Sequence, residues 1–245
     1  MTTIPDTPPP YGTVVFDCDS TLSRIEGIEE LASDCRAEVE ALTARAMEGA
    51  LPLEEAYGAR LALIQPTRED VDKVAAHYLR EALPHAKELI AGLHALGKRV
   101  MVVSGGLLPA VLPFARELGI NAPGHVHAVD IYFDAGGAYA GFDESSPLAR
   151  SGGKISVLRE ISSSSGAGAV VLTGDGATDL EAATEVSRFI AYGGVARRAN
   201  VFDASKITCE VQDLAALLPL LLSSAEQDLL TQLGGHEELL AAASS

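Results

Sequence analysis

The chain has 245 residues, of which 47% are hydrophobic and 21% charged, so it can bury a core of its own and is not a disordered chain. Eighteen Lys and Arg against 34 Asp and Glu leave a formal net charge of −16. That excess excludes a nucleic-acid partner, which needs basic side chains to displace counterions, and it opposes anionic membranes. Any anion site must therefore be locally positive. Cys18, Cys35 and Cys209 are widely spaced and form no CxxC or Cys/His cluster, which suits a reducing compartment. Met1–Pro10 lacks the basic and apolar regions of a secretory signal, and no apolar run reaches the ~20 residues of a membrane span. The expected location is cytoplasmic, with no membrane partner.

Residues 1–10, with Pro8-Pro9-Pro10, read as a flexible arm. Thr13–Asp17 (TVVFD) is a β-branched and aromatic run, expected as a buried strand. Residues 23–81 change character. Apolar residues recur at helical spacing (Ile28, Leu31, Ala32, Cys35, then Val39, Leu42, Ala46), and Pro52, Pro66 and Pro84 divide and end the stretch. Several helices are expected, one of them capped by Thr67.

Beyond residue 84 helices and strands alternate. A helix His85–Leu96 ends at Gly97, a strand spans Arg99–Val103, and a helix Leu107–Leu118 stops at Gly119. Val126–Phe133 and Tyr139–Phe142 around Ala135-Gly136-Gly137 read as a β-hairpin. A helix Lys154–Ile161, a strand Ala169–Thr173, a helix Asp179–Ala183, a strand Phe189–Tyr192 and a helix Val211–Leu222 complete the pattern. Repeated strand–helix units imply an α/β core with a parallel sheet and helices on both faces. Residues 11–22 and 82–222 would form that core, 23–81 a helical cap inserted after the first strand, and 223–245 a helical tail. The tail, broken at Gly234-Gly235, either supports a homodimer or packs loosely.

Four segments carry the chemistry. Asp17-Cys18-Asp19-Ser20-Thr21 follows the first strand and Gly174-Asp175-Gly176-Ala177-Thr178-Asp179 a later one. Carboxyl ends of parallel strands are where open α/β sheets place ligands. Four carboxylates gathered there repel one another unless a cation lies among them, and an all-oxygen donor set favours Mg²⁺. Ser104-Gly105-Gly106, after the second strand, frees backbone N–H groups for an anion. Lys154 supplies a positive charge that a bound phosphate needs. Arg197-Arg198 reads as a solvated face, and only Glu26 in the acidic run Glu26, Glu29, Glu30 is singled out.

In order and spacing these segments resemble the haloacid dehalogenase superfamily of aspartate-nucleophile phosphatases, whose core is Rossmann-like. The resemblance implies that Asp17 attacks phosphorus and that Asp19 serves as acid and then base. It implies Mg²⁺ held by Asp17, the Asp19 carbonyl and Asp175, and phosphate held by Ser104, Gly105, Gly106, Lys154 and Thr178, with Asp179 in support. DCDSTLSRIEGIEELA at 17–32 and AMEGALPLEEAYGARLALI at 46–64 narrow it to the phosphoserine phosphatase family. By that resemblance Glu26 meets a substrate ammonium and Arg60 a substrate carboxylate, with Met47 and Gly49 at the cap turn, and the substrate is O-phospho-L-serine. Glu48, where relatives often carry Gly, and Leu53, where some carry Phe, depart from the pattern. Another small phosphomonoester, phosphotransfer to an alcohol, or an inactive binding module on the same fold stand as alternatives.

Overall fold

The structure, a computed structural model, describes residues 4–32, 35–47 and 51–244, with the backbone alone for Ala44, Ala46 and Met47. The chain starts with β1 (Thr13–Phe16), then four helices, α1 (Gly27–Leu31), α2 (Arg36–Met47), α3 (Leu53–Ile64) and α4 (Arg68–Arg80). Helix α5 (Ala86–Ala95), β2 (Arg99–Leu107), α6 (Leu108–Glu117), β3 (Val126–Val129), β4 (Ile131–Phe133) and β5 (Tyr139–Phe142) follow. Next come α7 (Gly153–Ser163), β6 (Val170–Gly174), α8 (Ala177–Ala182), β7 (Arg188–Tyr192), α9 (Ala199–Ala204) and β8 (Ile207–Cys209). Helices α10 (Leu218–Leu221), α11 (Ser224–Leu233) and α12 (Glu237–Ala243) end the chain.

Six strands form one parallel sheet in the order β3-β2-β1-β6-β7-β8. All of β1 is buried, as its unbroken apolar run requires of a central strand covered on both faces. Phe16 stands in register with Val102 of β2 and Thr173 of β6. These three positions therefore lie at one level, and Asp17, Ser104 and Asp175, each within two residues of them, share one rim. The chain leaves the sheet and returns at a single place: Ser23 and Ala82 form an antiparallel bridge, and Leu83 N donates to the Leu22 carbonyl at 3.0 Å. Between those points lie α1 to α4. Thr67 caps α4 as expected, in a reciprocal box with Asp70.

Three expectations need correction, and two short elements are added. Val126–Phe133 is not one hairpin strand. It divides at Asp130, so that β3 joins the main sheet and only β4 pairs with β5. The helix expected over Val211–Leu222 begins only at Leu214, as a 3-10 turn that widens into α10. Asp213 accepts from Ala215 N at 2.9 Å, so it caps the turn and keeps Val211 and Gln212 outside it. The added elements, α9 and β8, have only six and three residues, too short to show a period in the sequence. Finally, the arm is held down: Thr7 N donates to the Ser187 carbonyl at 2.9 Å, and Asp6 pairs with Arg188 at 3.0 Å. Proline removes donors only at its own positions, so the residues before Pro8 still pair with the sheet.

The tail packs on its own chain. Leu230 of α11 and Leu239 of α12 are buried, and both meet the bare face of Gly92 in α5, where a Cβ would come within 3.3–3.4 Å of them. Lys98, itself buried, donates to the Tyr11 carbonyl at 2.8 Å and pairs with Glu226 of α11. Burial pushes the Glu226 carboxyl up, but the hydrogen bonds from Lys98 and Ser223 outweigh it and hold the group below the usual range. A carboxyl depressed in the native state stabilises the fold above its unfolded value of about 4.3, and loses that contribution as pH falls through the native one. Glu226→Gln should therefore cost about 2 kcal/mol at neutral pH. Thermal unfolding would show the gap between wild type and variant closing in acid; a gap that is constant with pH would contradict the pairing.

Candidate active site

Asp17 and Asp175 each follow the last residue of a strand, whereas Ser104-Gly105-Gly106, expected after the second strand, lies within the C-terminal end of β2, which runs on to Leu107. Asp17 follows β1, and its backbone N–H still donates to the Thr173 carbonyl of β6 at 2.9 Å. Its Oδ1 accepts from Cys18 N at 2.7 Å, and its Oδ2 lies 2.8 Å from Lys154 Nζ. Lys154, in the first turn of α7, also reaches Asp179 Oδ1 at 2.7 Å. Asp179 is fully buried, and its Oδ2 accepts from Gly176 N at 3.0 Å, which locks the first turn of α8. Gly174 is required beside it, since a Cβ there would stand 2.4–2.8 Å from the Asp179 carboxylate. Burial works against the Lys154 charge, but the Asp17 and Asp179 carboxylates overcome it and raise its pKa. The ammonium is thus a fixed cation at the rim.

A cavity of about 400 Å³ opens over this rim. Asp17, Asp19, Ser104, Gly105, Lys154, Asp175 and Thr178 line its floor, and Glu26, Leu53 and Arg60 line the side toward the helices inserted after β1. Gly106 lies buried beneath it, its N–H donating to Ser104 Oγ at 3.0 Å. The Asp19 carboxylate accepts from the Tyr78 hydroxyl. Burial, then the nearby Glu26 and Asp17 charges, push the Asp19 pKa well above the ordinary range. Gly27 makes room for that hydroxyl, because a Cβ there would fall 2.1 Å from it. Glu26 Oε1 accepts from Ser20 Oγ at 2.7 Å, and burial still pushes its carboxyl up to about 7. Burial lowers the Arg60 pKa, and its buried Nε has no hydrogen-bond partner among the described residues. Gly49 and the Met47 side chain lie outside the described residues.

Carboxylate oxygens of Asp17, Asp175 and Asp179 lie within 4.8 Å of one another, all three residues buried. Three hard oxygen donors converging at the foot of the cavity fit a divalent cation with a preference for oxygen, and nothing in the set favours a soft metal. Both oxygens of each carboxylate already accept: those of Asp17 from Cys18 N and Lys154, those of Asp179 from Lys154 and Gly176 N, and those of Asp175 from Thr21 and Arg198. Asp175 Oδ1 accepts from Thr21 Oγ1 at 3.3 Å and keeps its place on the cavity wall.

One expectation fails here and several residues are added. Arg198 is not a solvated charge: its Nε donates to Asp175 Oδ2 at 2.8 Å and an Nη donates to Glu26 Oε1 at 3.0 Å. It follows β7 on the same rim as the other strand-end loops, and that position was the signal in the sequence. Arg197 does face outward, over the Phe202 ring and beside Glu210. Tyr57, Tyr78, Leu148 and Arg150 were also missed. They come from helices and a loop whose sequence spacing to the reactive residues carries no information.

The family model for haloacid dehalogenase-like hydrolases matches residues 14–184. Human phosphoserine phosphatase is 42% identical over 195 residues, which is 79% of this chain and 86% of that protein. The chloroplastic phosphoserine phosphatase of Arabidopsis thaliana is 39% identical over 192 residues, covering 77% of this chain and 65% of its own. Among solved structures, a substrate-bound phosphoserine phosphatase complex superposes with a TM-score of 0.73 at 26% identity, over 87% of this chain and 99% of that one. A phospho-aspartyl intermediate analogue of phosphoserine phosphatase gives 0.71 at 27% identity, over 86% and 99%. A parallel sheet carrying an aspartate, a lysine and two further carboxylates on one rim, matched along most of its length by these proteins, is the signature of a lineage: the chain belongs to the phosphoserine phosphatase family of the haloacid dehalogenase-like hydrolases.

Proposed function

We propose that this protein hydrolyses O-phospho-L-serine to L-serine and phosphate, with Mg²⁺ as its cofactor, in the cytoplasm. The observation that carries the reading is one cavity with a nucleophile and a fixed cation on its floor and a carboxylate and a guanidinium on its side. Phosphate belongs on the floor, beside Lys154, Ser104 and Thr178. The free Arg60 Nε suits a substrate carboxylate, because a buried guanidinium gains most from a bidentate anion. Glu26 suits the substrate ammonium, and would exchange Arg198 for it. Three free cysteines accord with a reducing compartment, and among the described residues no helix is long and apolar enough to cross a membrane.

The first half-reaction forms a bond from an Asp17 carboxylate oxygen to phosphorus and breaks the bond from phosphorus to the serine oxygen. Asp19 gives its proton to that leaving oxygen, a role for which its raised pKa prepares it. In the second half-reaction Asp19 takes a proton from water, the water oxygen bonds to phosphorus, and the Asp17 carboxylate is freed with release of phosphate. Lys154 holds the Asp17 carboxylate in line and offsets charge on the phosphoryl oxygens, and Asp179 holds Lys154. Asp17, Asp175 and the Asp19 carbonyl would hold Mg²⁺, which when bound screens the phosphate charge from the carboxylates. Helices α1 to α4 act in this reading as a cap over residues 23–81, closing the site against bulk water before transfer.

Asp17→Asn should reduce phosphate release by at least about a thousandfold, because an amide cannot supply the attacking carboxylate. EDTA should abolish release and added Mg²⁺ restore it. Glu26→Gln and Arg60→Ala should each lower kcat/KM for L-phosphoserine about a hundredfold, the size of a lost buried charge-assisted contact. Turnover of phenyl phosphate, which lacks both end groups, should fall far less. Equal losses on the two substrates would remove Glu26 and Arg60 from substrate recognition.

A further inference from the structure

Leu53, Tyr57 and Arg60 all line the cavity from α3, at a spacing that puts them on one helix face. Tyr57 is buried, and its hydroxyl donates to the Gly105 carbonyl at 2.9 Å. Gly105 sits in the Ser104-Gly105-Gly106 segment, where the pairing of β2 with β3 shifts register between Val103 and Leu107. This hydrogen bond thus joins the inserted helices to the loop that floors the cavity. The Tyr57 ring does two more things. It lies 5.3 Å from the Phe142 ring of β5, and the Arg60 guanidinium stands over it at 5.4 Å from the ring centre.

We infer that Tyr57 is a positioning residue that sets Arg60 and the Ser104–Gly106 loop at a fixed separation, and so selects substrates carrying a carboxylate at that distance from the phosphate. The inference rests on the assignment of Arg60 to the substrate carboxylate. Arg60 is desolvated, and the negative face of a tyrosine ring supports such a charge before an anion arrives. Apolar contacts of α3, such as Tyr57 with Phe142 and the buried Leu61, hold it against the core without fixing an angle. The hydroxyl supplies direction: a buried donor with one acceptor fixes both angle and distance. Burial raises the Tyr57 pKa, so the group stays a donor throughout the working range of an enzyme. Phenylalanine at this position keeps the ring and removes only the link to Gly105.

The test compares wild type, Tyr57→Phe, Arg60→Ala and the double variant on L-phosphoserine and on phenyl phosphate. Tyr57→Phe should lower kcat/KM for L-phosphoserine about fivefold more than for phenyl phosphate, mostly through KM, as expected for one neutral hydrogen bond. In the Arg60→Ala background the same change should add no further discrimination, because the carboxylate is no longer read. Equal losses on both substrates would mark Tyr57 as merely structural, and losses that multiply in the double variant would separate it from Arg60. Either result overturns the inference, as does a Tyr57→Phe enzyme that matches wild type. A wild-type enzyme with no preference for L-phosphoserine would overturn the substrate assignment itself, and the coupling with it.

Discussion

The site depends on a buried ammonium shared by two carboxylates. Asp17, Asp175 and Asp179 converge just past the ends of two hydrogen-bonded strands, β1 and β6, and bare carboxylates at that spacing would repel one another strongly in a low dielectric. Lys154 makes the arrangement tolerable by lying 2.8 Å from Asp17 and 2.7 Å from Asp179. Much else follows from where that ammonium must be. Its helix has to begin at the sheet rim, and Gly153 allows this, since a Cβ there would fall 1.7 Å from the Pro147 carbonyl oxygen. Asp179 has to sit fully buried behind it, and Gly174 leaves the space.

The second constraint lies across the cavity. The segment inserted after β1 brings a carboxylate and a guanidinium over the rim, the first already paired and the second with an unpaired buried nitrogen. Glu26 shares Arg198 with Asp175, and the Arg60 Nε has no partner among the described residues. Buried charge without a dedicated partner is costly, and it persists where a ligand completes it. The floor and the side of the cavity therefore ask for one molecule with three charged groups. Tyr57 and Tyr78 link the two parts, one to the Gly105 carbonyl and one to the Asp19 carboxylate, alongside the pair of Glu26 with Arg198.

Much of this was legible in the amino-acid order, for identifiable reasons. β1, β2, β6 and β7 are apolar runs buried on both faces, and their pattern needs no tertiary context. Asp17 and Asp175 directly follow β1 and β6, and Ser104 stands near the end of β2, so locating the strands located them. Where polarity or length blurred the pattern, the reading failed: β8 has only three residues, and β3 and β4 run together across Asp130. Arg198 was read as solvated because two adjacent arginines carry no periodicity, although only one of them faces out. Tyr57 and Tyr78 could not be found at all. Their partners, Gly105 and Asp19, lie 48 and 59 positions away, and only the fold brings them within hydrogen-bonding reach.

The central claim is that Asp17 carries the phosphoryl group during turnover. Acid quenching of the enzyme during hydrolysis of L-phosphoserine, reduction with borohydride and peptide mass spectrometry would test it directly, because borohydride converts an aspartyl phosphate to homoserine. Homoserine at position 17 alone is the expected result. Homoserine at position 19 or 175, or an unmodified enzyme under conditions of rapid turnover, would contradict the account.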